Sequence, residues 1–198
     1  YSVPHYRTDF SDINLDTLGH LWWSTTTFGL QEFDSTGELL KRDNNIDNLF
    51  FQDDKMTYTD FFIDSQNRFF VYAMKRQAEY ELWQYFPESG QKEVLAEGFG
   101  NFFFNAMEDS QGNIWFGLDN NLFQLQPNGN WVDFSNAVQQ VLDFYNITAL
   151  FEDQTNMLWI GTDGGLLKMP LGKQLFENHL TKKGVGWGNS FRGIGEDL

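Results

Sequence analysis

The chain has 198 residues, with 13 basic and 28 acidic side chains, a formal charge of −15, and no cysteine. That excludes a disulfide scaffold, a thiolate metal site and a cysteine nucleophile, and argues against nucleic acid as a partner, because phosphate binding needs clustered Lys and Arg. Aromatic residues make up 18% of the chain, so a folded domain with a sizeable core is expected, and no run reaches the ~18 to 20 apolar residues that would insert this segment into a bilayer.

The chain opens at Tyr1 without a basic-then-apolar leader and reads as a piece of a longer one. The first predicted element is a single strand within residues 1–9. Four longer segments follow, 10–43, 58–96, 102–134 and 147–180, each predicted to hold four short strands. In the last of them the strands are expected at 147–152, 157–162, 166–169 and 174–179. Helical periodicity is confined to 136–144, where Val138, Val141 and Leu142 share a spacing of three to four. Residues 190–198 are expected to supply the inner strand of a following blade, as 1–9 supply the outer strand of a preceding one.

These segments are copies of one repeat. Asp16, Asp64, Asp109, Asp153 and Asp197 recur at intervals of 48, 45, 44 and 44 residues. Three residues after the first four stand Gly19, Asn67, Gly112 and Asn156, the residue types that tolerate a left-handed turn. Five and six residues after stand Leu21-Trp22, Phe69-Phe70, Ile114-Trp115 and Leu158-Trp159. Four strands every 40 to 50 residues is the sequence pattern of a β-propeller blade. Bulky residues on consecutive positions suit blades whose two faces are both covered. The predicted fold is all-β: four complete four-stranded blades flanked by single strands, part of a larger, seven-bladed ring.

The segment Ile147-x-x-Leu150-x-Glu152-Asp153-x-x-Asn156-x-Leu158-Trp159-Ile160-Gly161-Thr162-x-x-Gly165-Leu166 resembles the two-component regulator propeller repeat, whose consensus runs I-x-x-I-x-E-D-x-x-G-x-L-W-I-G-T-x-x-G-L. Residues 103–122 match nearly as well, 10–30 more loosely, and the second copy least. The resemblance implies a non-catalytic, periplasmic sensor of the kind found in membrane-spanning hybrid histidine kinases of Bacteroidetes, many of them responsive to glycans. Kinase, response-regulator and DNA-binding parts would then lie outside these residues. The alternatives are a propeller enzyme, similar to streptogramin lyases or a glycosidase, and a free-standing interaction scaffold.

The recurring Asp, and the pairs Glu108-Asp109, Glu152-Asp153 and Glu196-Asp197, could suggest paired catalytic carboxylates. One per blade at the same tight turn, they read instead as structural. Neither Asp43–Asp47 nor Asp60–Asp64 has the oxygen spacing of a calcium loop. His5 and His179 fall on equivalent outer strands of different blades, and no metal or other cofactor is expected. Gly184 to Gly188 lacks the strand–loop–helix setting of a phosphate cradle, and the triplet Asn146-Ile147-Thr148 places a core residue in a glycosylation signal. Ligand binding is expected at the loops between blades and between the middle strands. There Lys75, Arg76, Tyr145 and Trp187 have the aromatic or cationic character suited to an oligosaccharide or an acidic small molecule. The surplus strands at the two ends predict open apolar faces and self-association, as a homodimer.

Overall fold

A computed structural model describes residues 10–25, 29–43, 56–75, 79–87, 89–99, 104–142, 146–172 and 177–180. The chain divides into two compact units, residues 1–100 and 101–198. The first unit holds strands β1 (Phe10–Leu15), β2 (Leu21–Thr25), β3 (Gly29–Phe33) and β4 (Leu39–Asp43), then β5 (Met56–Ile63), β6 (Phe69–Lys75), β7 (Glu79–Phe86) and β8 (Gln91–Phe99). The second holds β9 (Phe104–Glu108), β10 (Ile114–Leu118), β11 (Asn121–Leu125) and β12 (Trp131–Asp133), a helix α1 (Ser135–Leu142), and β13 (Ile147–Glu152), β14 (Met157–Thr162), β15 (Leu166–Pro170) and β16 (Glu177–Leu180). Each group of four strands is one antiparallel sheet with neighbours in chain order. The protein is all-β, built of four-stranded propeller blades.

The second blade is longer than the repeat predicts. Its ladder continues through Met56↔Lys75 and Glu79↔Phe99, so residues expected in loops carry strand hydrogen bonds. The helical turn expected at 136–144 is Ser135–Leu142. Asp133 accepts a hydrogen bond from the Ser135 amide at its start (2.8 Å), and Val138 joins Phe134 in the core. The strand expected at 174–179 is Glu177–Leu180. The flanking strands expected in 1–9 and 190–198 lie outside the described residues.

The repeated Asp begins the turn between the first two strands of every blade. Its backbone carbonyl accepts from the residue three positions on (Gly19, Asn67, Gly112, Asn156), and its N–H donates to the carbonyl four positions on. The residue at +3 has φ of 77°, 58°, 78° and 59° in the four blades. This is a type I turn closed by a left-handed residue, which is why only Gly and Asn occur there.

Stacking within each unit follows one rule. In the first unit Trp22 and Leu30 from the first blade enter a cluster formed by Phe61, Ile63, Phe69, Val71, Trp83 and Tyr85 of the second, with the Trp22 ring edge-on to Phe69 at 4.8 Å. In the second unit Trp115 and Leu122 of the third blade meet Ile147, Leu158, Ile160, Leu167 and Met169 of the fourth. The same two repeat positions, the +6 aromatic and the leucine that opens the third strand, cover the next blade both times. Blade contact also explains the glycine after the Trp-aromatic pair. A Cβ on Gly117 would lie 2.6 Å from Ile147 Cγ2, inside any tolerable separation. Gly117→Val is therefore expected to destabilise by ~1 to 3 kcal/mol through overpacking, read as a lower urea midpoint with unchanged slope.

Candidate functional site

Each blade has two ends with different chemistry. At one end lie the Asp turns. Asp109 is the fullest example: Oδ1 accepts from the Gln111 and Asn113 amides at 2.9 Å each, and Oδ2 accepts from Asn113 Nδ2 and from the Trp115 indole, both at 2.8 Å. Asp16 and Asp153 repeat the pattern, their Oδ2 atoms accepting from the indoles of Trp22 (3.1 Å) and Trp159 (2.7 Å). The second blade has Phe70 in place of the Trp, and there Arg68 Nε reaches Asp64 Oδ2 instead. The Asp and the aromatic six residues later thus form one hydrogen-bonded unit, with an arginine as substitute where the indole is missing. Sequence inspection had both halves of this signal but not their link.

Burial raises the pKa of Asp153, but hydrogen bonds from the Thr155 hydroxyl, the Trp159 indole and the Met157 and Thr155 amides outweigh it and hold the carboxyl at about 2. Its folded pKa lies below the ordinary value of 3.8, so its stabilising contribution is present above pH ~4 and lost as pH falls toward 2. Asp153→Asn is expected to reduce the acid sensitivity of the denaturation midpoint within that window, measured by urea titration at several pH values.

The Asp-turn end also holds the one cluster among the described residues with metal-ligand character. Asp16, His20 and Glu32 place ligand atoms within 4.8 Å of one another, with His20 Nδ1 2.7 Å from Glu32 Oε1 and 3.7 Å from Asp16 Oδ2. The Asp16 oxygens already accept from the Leu18 and His20 amides and the Trp22 indole, as their counterparts do in the other blades. The trio is therefore the same turn with His20 in the position of Arg68. A cleft of about 160 Å³ near the outer strands is lined by Trp115, Gln124, Gln126 and Met169 among others, a volume that suits a small molecule and is below that of a site for a larger ligand.

The opposite end gathers the turns between the second and third strands and the connections between blades. It is best seen in the second unit. Asp163 accepts from the Asn146 amide at 2.8 Å and from Asn146 Nδ2 at 3.1 Å. Thr162 Oγ1 accepts from the Gly164 and Gly165 amides at 3.1 and 2.9 Å and donates to the Gly165 carbonyl at 2.8 Å. The Ile147 amide donates to the Asp119 carbonyl at 2.6 Å, and Gln139 Nε2 to Asn121 Oδ1 at 3.1 Å. Asp119, at φ 53°, is buried. Carboxylates and amides are held here on a backbone fixed by its own hydrogen bonds, the arrangement that preorganised recognition of a polar ligand requires.

Of the residues predicted to bind ligand, Lys75 ends β6, and its side chain lies outside the described residues, as do Arg76, Tyr145 and Trp187. Sequence reasoning did not single out Asp119, Asn146 and Asp163, of which the repeat offset marks the two aspartates. Asp119 and Asp163 both stand ten residues after their blade's Asp.

Residues 97–120 and 142–164 match the family model described as two component regulator propeller. Both matches contain the inner strand, the Asp turn and the second strand of a blade. No curated protein matches the chain. Among solved structures, the extracellular domain of a one component system from B. thetaiotaomicron is similar over 100% of this chain and 26% of its own, with 20% identity and a TM-score of 0.69. A second structure of the same extracellular domain, there described as that of a hybrid two component system, is similar over 95% and 25%, with 15% identity and a TM-score of 0.64. PorZ, a surface component of the type-IX secretion system of Porphyromonas gingivalis, is similar over 85% and 28%, with 15% identity and a TM-score of 0.54. These likenesses concern the fold, and the chain spans about a quarter of the length of the B. thetaiotaomicron structures it resembles.

Proposed function

Starting from a chain that carries two-component regulator propeller repeats, we propose that it belongs to the non-catalytic, periplasmic sensor region of a two-component signalling protein. In this reading its blades are part of a larger ring, and an oligosaccharide is recognised at the end of the blades opposite the Asp turns. The observation that carries the reading is the division of labour between the two ends. The recurring carboxylates that could act as acid and base are occupied by amide, indole or guanidinium donors at every described Asp turn. At the other end stand Asp119, Asn121, Asn146 and Asp163, polar groups that hold the turns and the connection between blades of the second unit. In the sequence Lys75, the last residue of β6, and Arg76 stand at the end of the second strand of their blade, and Tyr145 and Trp187 fall in the segments between blades.

Calorimetric titration with pooled plant and host oligosaccharides, followed by mass spectrometry of the recovered sugars, tests both parts. Saturable heat with chemically unchanged sugars is expected. Shortened or unsaturated products would show the propeller to be a hydrolase or lyase, and an absence of heat with every pool would remove the glycan reading.

A further inference from the structure

The row of residues that runs across each blade from the +6 aromatic sets the third blade apart from the others. Strand pairing places Trp22 beside Glu32 and Lys41, Phe70 beside Gln84 and Glu93, and Trp159 beside Lys168 and Glu177. Each of these rows carries charge. In the third blade the row is Trp115, Gln124 and Val132, all uncharged, and along it lies the cleft of about 160 Å³. Phe134 and Met169 complete its apolar wall, and Gln126 stands beside Gln124. Met169 comes from β15 of the fourth blade, so both walls belong to described residues of the second unit. Gln124 adds an independent sign of a ligand. The residue is only 9% exposed. Its Oε1 accepts from Gln126 Nε2 at 3.5 Å, longer than a well-formed hydrogen bond, and its own NH₂ has no hydrogen-bond partner among the described residues. A nearly buried amide without a partner is costly, and a bound group that pairs with it recovers that cost.

We infer that this cleft binds a small, neutral molecule built of one aromatic ring and an amide, with the amide paired to Gln124 and the ring among Trp115, Val132, Phe134 and Met169. Size sets the single ring, since an apolar cavity of about 150 Å³ holds benzene. The uncharged wall selects a neutral molecule, because an ion would lose its hydration with no charged partner to replace it. The amide follows from Gln124, whose NH₂ and oxygen match the oxygen and N–H of another amide. A sugar ring of similar size fits less well, because hydroxyls surround it and most of the wall is apolar. The inference is therefore separate from the glycan reading of the blade ends.

Benzamide is the probe, titrated into the whole chain and followed by proton–nitrogen correlation spectra, with glucose and benzoate as controls. Saturable shifts are expected at the Trp115 indole and the Gln124 side-chain amide with benzamide, and none with either control. Gln124→Leu should weaken benzamide binding about three- to tenfold, the worth of a neutral hydrogen bond. Val132→Trp, at a half-buried position of the short strand β12, should abolish binding by filling the cleft. Circular dichroism checks that both variants are folded. The proposal is overturned if benzamide causes no saturable shift at these two groups, or if glucose or benzoate binds as tightly. A folded Gln124→Leu or Val132→Trp variant that binds benzamide as the wild type does would equally overturn it. The wild-type titrations decide by themselves, so a variant that fails to fold leaves the test intact.

Discussion

Asp109→Ala should lower stability by several kcal/mol, on the order of 3 to 5, because it leaves buried donors without an acceptor. Asp109 is 4% exposed, and its two oxygens hold the Gln111 and Asn113 amides, the Asn113 side chain and the Trp115 indole. Asp109→Asn should recover only part of the loss. An amide has one oxygen, and its NH₂ would face either the Trp115 indole N–H or the backbone amides, donor against donor. Urea denaturation of both variants checks the order. An asparagine variant as stable as wild type would mean the carboxylate is not the acceptor for both sides of the turn.

Trp115→Ala is expected to cost ~3 to 5 kcal/mol, as other large-to-small core changes do. Its ring is 1% exposed, 5.1 Å from Phe134 and packed against the fourth blade. Trp159 holds the equivalent repeat position but is only half-buried. Trp159→Ala should therefore cost clearly less, on the order of 2 kcal/mol, and the two variants compared by the same denaturation experiment should differ in that direction. The difference has a physical cause. The Trp115 face is covered by the fourth blade, and no comparable cluster of described residues covers that of Trp159.

The part of the fold legible in the sequence is the part fixed by local chemistry. The Asp, the left-handed Gly or Asn at +3, the bulky apolar residue at +5 and the aromatic residue at +6 mark the turn and the second strand in all four blades, because a tight turn constrains residue types within a few positions. What covers each face was less legible. Trp115 and Trp159 are indistinguishable by repeat position, and only the neighbouring sheet separates them. Gly117 shows the same limit from the other side, since its missing side chain is explained by Ile147, thirty residues later. The extra length of β5 to β8 also escaped the repeat, because ladder pairs such as Glu79↔Phe99 depend on partners that no local signal names. For the candidate site, the general place was legible from the strand count, but Asp119, Asn146 and Asp163 were not singled out. The shared offset of ten marks the two aspartates, but polar residues are ordinary in turns, and it is the hydrogen bonds at the blade end that bring Asn146 together with Asp163.

Hydrogen–deuterium exchange with and without an oligosaccharide pool that gives heat in calorimetry addresses the separation of structural from recognising carboxylates most directly. Slower exchange is predicted at residues 118–121, 146–148 and 163–165, with the Asp turns at 109–113 and 153–157 unchanged. Protection centred on those Asp turns, with the opposite end unaffected, would contradict the account.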